Sequence, residues 1–133
     1  MLIILDSYAV LAYLEGEAGA GRVGEILHLA GHGEQRLALS LINLGEVLYI
    51  TEREKGLFTA QEVLATIQQL PIQVLEADQR QVLAAAHIKA NYPVSYADAF
   101  AIAAAQTFAG TLLTGDPEFH AVERLVQVEW LPG

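Results

Sequence analysis

The chain opens MLIILDSYAVLAYL (residues 1–14): an apolar run of strand character ends at Asp6 and passes at once into a segment of helical period. The same pattern returns near the other end, where TLLTGDPEF (residues 111–119) carries a short apolar run into Asp116 and Pro117. A strand that feeds directly into a helix is the first half of a βα unit, and such units build parallel sheets. Ligands of open α/β sheets bind beyond the carboxyl ends of the strands. Two strands that each deliver a carboxylate at that point therefore predict where a functional edge lies.

Working outward from these two stretches, strands are expected at residues 2–5, 36–40, 72–75, 111–113 and 126–130. Helices are expected at residues 7–14, 21–29, 41–55, 60–70, 79–90 and 96–108, with a short turn after Pro117. The alternation predicts a three-layer α/β/α fold around a central, mainly parallel sheet, in a single domain over residues 1–133. Thr59 with Glu62, Asp78 with Gln81 and Ser95 with Asp98 have capping-box spacing, and Gly31, Gly33, Gly56 and Gly110 read as helix stops.

Composition narrows the class. With 53% hydrophobic residues among 133, the chain has enough apolar surface for a real core and carries no disordered or low-complexity tract. The absence of cysteine excludes disulfides and thiolate metal sites. No secretory signal is evident and no run approaches the ~18 apolar residues of a membrane span, so a cytoplasmic protein is expected. The net charge of −9, from 16 acids and 7 bases, counts against nucleic acid as a partner unless acids are grouped around a cation that meets phosphate first.

Four acids stand out. Asp6 and Asp116 each have a local use as a helix N-cap, and Asp98 as the partner of Ser95 in a capping box. Glu46 has none: it lies in mid-helix in LINLGEVLYI (residues 41–50), flanked one turn either way by Ile42 and Ile50. Asp98 has Val94 and Ile102 at the same spacing. A carboxylate on an apolar stripe must be paired or must bind a metal, and the seven bases are scattered singly, away from the acid-bearing strand ends. All-oxygen ligation by Asp6, Glu46, Asp98 and Asp116 suits Mg2+ or Mn2+.

The segments LDSYAVLAYL, LINLGEVLYI, VSYADAFAIAAA and LLTGDPEF resemble the PIN-domain nucleases, and most nearly the VapC-type toxin ribonucleases. The resemblance implies that Asp6, Glu46, Asp98 and Asp116 are catalytic and hold divalent Mg2+ or Mn2+, that Glu118 is an accessory acid, and that Ser7 and Thr114 orient a ligand or water. It also implies an RNA substrate, a small antitoxin partner and a homodimer.

Other residues carry weaker signals. His28 and His32 stand four apart, but the glycines beside them mark a helix end, so a metal site is not expected there. His87 and His120 are isolated. Arg53, Lys55 and Lys89 read as solvated ion-pair partners rather than phosphate contacts. Tyr8, Tyr13 and Tyr49 have the spacing of core residues rather than stacking platforms. Two alternatives remain: phosphoryl transfer on an aspartate, for which a second acid at the Tyr8 position and a strand-end lysine are missing, and a PIN-like interaction module without chemistry.

Overall fold

The computed structural model describes residues 1–133. Five strands, β1 (Leu2–Leu5), β2 (Arg36–Ser40), β3 (Gln73–Leu75), β4 (Thr111–Thr114) and β5 (Val128–Trp130), form one sheet in the order β3-β2-β1-β4-β5. Every pairing is parallel. The six helices are α1 (Ser7–Leu14), α2 (Ala20–Gly31), α3 (Leu41–Lys55), α4 (Leu57–Gln69), α5 (Gln79–Asn91) and α6 (Tyr96–Thr107), and a short 3-10 turn spans Pro117–Val122.

The middle strand explains the layering. All four residues of β1 are buried, and alternate side chains enter different cores: Leu2 and Ile4 join Leu112, Phe100 and Ile102 on one face. Ile3 and Leu5 join Val23, Ile26, Leu39 and Leu113 on the other. A strand apolar on both faces can be satisfied only between two helical layers. Helices α5 and α6 supply one, and α1, α2 and α4 the other. Helix α3 packs against α1, α4 and α6, so it reaches both layers at the carboxyl edge of the sheet.

Several boundaries differ from expectation. Helix α4 begins at Leu57, so Thr59 lies inside it and does not cap it. The helix break is instead made by Gly56, which at φ 90° both ends α3 and precedes α4, a conformation that disfavours any side chain. Helix α2 runs through Gly31, and the left-handed position is Gly33. After α6 the left-handed residue is Ala109, not Gly110. Gly110 is required by space: a Cβ there would lie 2.9 Å from Ile4 Cγ1.

Candidate metal centre

Asp6 leaves the end of β1 and caps α1, its Oδ1 accepting the Ala9 amide at 2.8 Å. Its Oδ2 accepts the Thr114 hydroxyl from the end of the neighbouring strand β4. Thr114 Oγ1 in turn accepts the Asp116 amide at 3.0 Å, and Asp116 caps the 3-10 turn by accepting the Glu118 amide at 2.9 Å. The expected capping roles of both strand-end acids are therefore real. Capping alone does not explain why the two caps share a threonine.

Two further acids arrive from helices. Ser40 caps α3, and two turns into that helix Glu46 accepts the Ser7 hydroxyl. Ser95 caps α6 with its hydroxyl, 3.1 Å from the Asp98 amide. In a closed capping box the Asp98 carboxylate would return to the Ser95 amide. Here Glu118 accepts that amide instead, which releases the Asp98 carboxylate into the pocket.

The pocket, of about 330 Å³, is lined by Glu46, Asp98, Asp116 and Glu118, with Ser7, Tyr8 and Ser95 among the remaining residues of its wall. Carboxylate oxygens of Asp98, Asp116 and Glu118 lie within 4.8 Å of one another. Asp6, 1% exposed, does not line the pocket but is tied to its rim through Thr114 and acts on Asp98 by its charge. A cavity of about 310 Å³ at the opposite edge of β4 is lined by Gln106, Thr111 and Gln127 among others, and contains no titratable side chain.

Electrostatics single out the same residues. Burial pushes the Asp6 carboxyl up to about 7, against the hydrogen bonds from Thr114 and Ala9, and the charges of Asp116 and Glu46 add to the rise. Burial pushes Asp98 to about 8, followed by the charges of Glu118, Asp6, Asp116 and Glu46. None of the protein's ion pairs involves these five acids. Crowded carboxylate oxygens with no base to pair them form a donor set that fits a hard divalent cation.

The remaining sequence expectations divide. Ser7 and Thr114 are at the site and bond to carboxylates. Glu118, expected to be accessory, belongs to the tightest trio. Tyr8 and Tyr13 pack on the core, but Tyr49 is 50% exposed with the Arg53 guanidinium 5.2 Å above its ring. Lys55 pairs with Glu15 at 3.8 Å. His120 stacks on Trp130, and His28 and His32, on α2 and its C-cap, do not line the pocket. Sequence reasoning missed Asn43, whose only signal is a polar residue one turn before Glu46.

A parallel α/β sheet whose carboxyl edge gathers five acids and no base defines an acid-centred α/β protein. The chain belongs to the PIN domain family, whose profile matches residues 3–125. No curated protein matches it by sequence. The fold is similar to that of VapBC2 from Rickettsia felis bound to a DNA fragment from their promoter, with 14% identity, coverage of 99% of this chain and 100% of that one, and a TM-score of 0.78. It is also similar to VapC20 from Mycobacterium tuberculosis, a sarcin-ricin loop cleaving toxin, with 19% identity, coverage of 98% and 99%, and a TM-score of 0.75. VapBC-1 from nontypeable Haemophilus influenzae matches at 17% identity, coverage of 98% and 98%, and a TM-score of 0.71. No helix is long and apolar enough to cross a membrane.

Proposed function

We propose that residues 1–133 form a single domain that hydrolyses RNA phosphodiester bonds with Mg2+ or Mn2+, and that the protein is the toxin of a toxin-antitoxin pair. The observation that carries the catalytic part is the trio Asp98, Asp116 and Glu118, with carboxylate oxygens within 4.8 Å and no base in ion-pair contact. These three, with Asp6 and Glu46, would hold the cation. Bound there, a divalent cation supplies a nucleophilic water and charge stabilisation for the leaving oxygen. The protein's part is to keep five carboxylates oriented: Thr114 ties Asp6 to the Asp116 turn, Ser7 holds Glu46, and Glu118 frees Asp98 from its cap.

PIN-domain membership supports nuclease chemistry. The likeness to VapBC toxin-antitoxin proteins and to a toxin that cleaves the sarcin-ricin loop supports RNA as substrate and a small antitoxin as partner; a homodimer and a cytoplasmic location are part of the same proposal. Phosphoryl transfer on an aspartate is less well supported, because no lysine lines the pocket. The test is cleavage of a structured RNA by purified protein with Mg2+, Mn2+ or excess chelator. Cleavage is expected only with metal and is expected to vanish in Asp98→Asn while the far-UV circular dichroism is unchanged. Cleavage that persists in chelator overturns the metal mechanism.

A further inference from the structure

Asn43 lies on α3 one turn before Glu46, fully buried, and its Oδ1 is the one buried side-chain polar atom without a hydrogen-bond partner. Its Nδ2 donates to the carbonyl of Ala97 on α6 at 3.1 Å. A buried amide with a bare acceptor is less stable than an apolar side chain of the same shape, so fold stability alone does not account for it. Its one bond holds the peptide unit that joins Ala97 to Asp98.

That peptide matters because Asp98 differs from the other four acids. Asp6 is bonded by Thr114 and Ala9, Glu46 by Ser7, Asp116 by the Glu118 amide and Glu118 by the Ser95 amide. No hydrogen bond reaches the Asp98 carboxylate; its amide alone is bonded, to Ser95. Its position is thus set by the backbone of the first turn of α6. Three side chains fix that turn: the Ser95 hydroxyl, Glu118 and Asn43. Of these, Asn43 alone comes from the helix that carries Glu46.

We propose that Asn43 is a positioning residue that sets α3 against the first turn of α6, and so presents the Asp98 carboxylate to the divalent cation together with Glu46. The cation's part in this rests on the metal-site reading above. The bare Oδ1 then has a simple origin: an asparagine is kept for its donor.

The test is Asn43→Leu, read by calorimetric titration with Mn2+, by the melting temperature of the metal-free protein and by amide hydrogen exchange at residues 96–98. The metal-free melting temperature is expected to stay level or rise, because a bare buried acceptor is removed. The Mn2+ affinity is expected to fall about 10-fold or more, as for loss of a group that orients a ligand. Exchange in the first turn of α6 is expected to quicken. If Asn43→Leu does not fold, Asn43→Ser, too short to reach Ala97, is expected to show the same loss. Wild-type affinity in the folded variant overturns the proposal. Failure of the wild-type protein to bind Mn2+ overturns the metal site instead, and exchange at residues 96–98 then decides the positional part: unchanged exchange overturns that as well.

Discussion

Asp6 and Asp98 keep their protons up to about 7 and about 8, far above the ordinary aspartate value of 3.8. In the metal-free protein the folded state therefore holds these protons more tightly than the unfolded chain. Their contribution is fully present below about pH 4 and is lost as pH rises through 7 to 8. For Asp6 alone the loss is on the order of 4 kcal/mol. Thermal melts of the metal-free protein between pH 5 and pH 8.5 are expected to show a falling melting temperature, restored by Mn2+ because the ion binds the folded state. Asp98→Asn is expected to raise the metal-free melting temperature at pH 8 and to shrink the gain from Mn2+. If both effects are absent, the acids do not share one electrostatic site. Thr114→Val removes a bond that favours ionised Asp6, so an NMR titration is expected to place that carboxyl higher still. Glu46 was legible in the sequence because a mid-helix carboxylate on an apolar stripe has no capping use, whereas Asp6, Asp98 and Asp116 each had one and stood out only as a set. Glu118 was read from the sequence as an accessory acid, and its bond to the Ser95 amide at the start of α6 could not be foreseen because it exists only in the folded chain. Asn43 was missed because its bond to Ala97 exists only once α3 and α6 have packed.

At the scale of elements, β4 offers a paired experiment on its two ends. A Cβ on Gly110, before the strand, would lie 2.9 Å from Ile4 Cγ1 and 3.3 Å from the Leu2 carbonyl oxygen. A Cβ on Gly115, after it, would lie 2.3 Å from Tyr8 Cε1 and 2.7 Å from Tyr8 Cζ. Each substitution by alanine is expected to destabilise by about 1–3 kcal/mol through overpacking, measured by urea unfolding. Only Gly115→Ala is expected to lower kcat markedly, because Tyr8 lies in α1 two residues after Asp6 and Gly115 immediately precedes Asp116. Equal losses of activity would mean that the Tyr8 contact does not position the site. The bounds of β1, β2, α1 and α3 follow from the sequence alone, since each is a clean apolar pattern ended by a cap residue. The start of α4 does not. Leu57 and Phe58, exposed at 57% and 74%, hide the boundary because their apolar character suggests neither cap nor turn. Strand order was equally out of reach, because it depends on which helix covers which face.

For the whole molecule, the charge of −9 sets the terms on which a polyanion is met. Protein without divalent cation is expected to bind a short RNA weakly, and binding by a Glu46→Gln variant, itself expected not to cleave, is expected to strengthen on addition of Ca2+ or Mn2+ as local positive charge is supplied. Fluorescence anisotropy of a labelled RNA measures this. Binding that ignores the cation would assign the contact to the scattered bases instead. The parallel topology also has a consequence in time. Within this domain the central strand β1 is made well before its second neighbour, β4, so Asp116 and Glu118 are synthesised long after Asp6. At roughly 5–20 residues per second, on the order of ten seconds separate Asp6 from Asp116, and through that interval the acid cluster is incomplete. A polypeptide interrupted before Thr111 carries Asp6, Glu46 and Asp98 without β4, Asp116 or Glu118, so it lacks the complete acid cluster. Under the proposed function, activity would therefore begin only once the segment from Thr111 to Glu118 has been made and has joined the sheet.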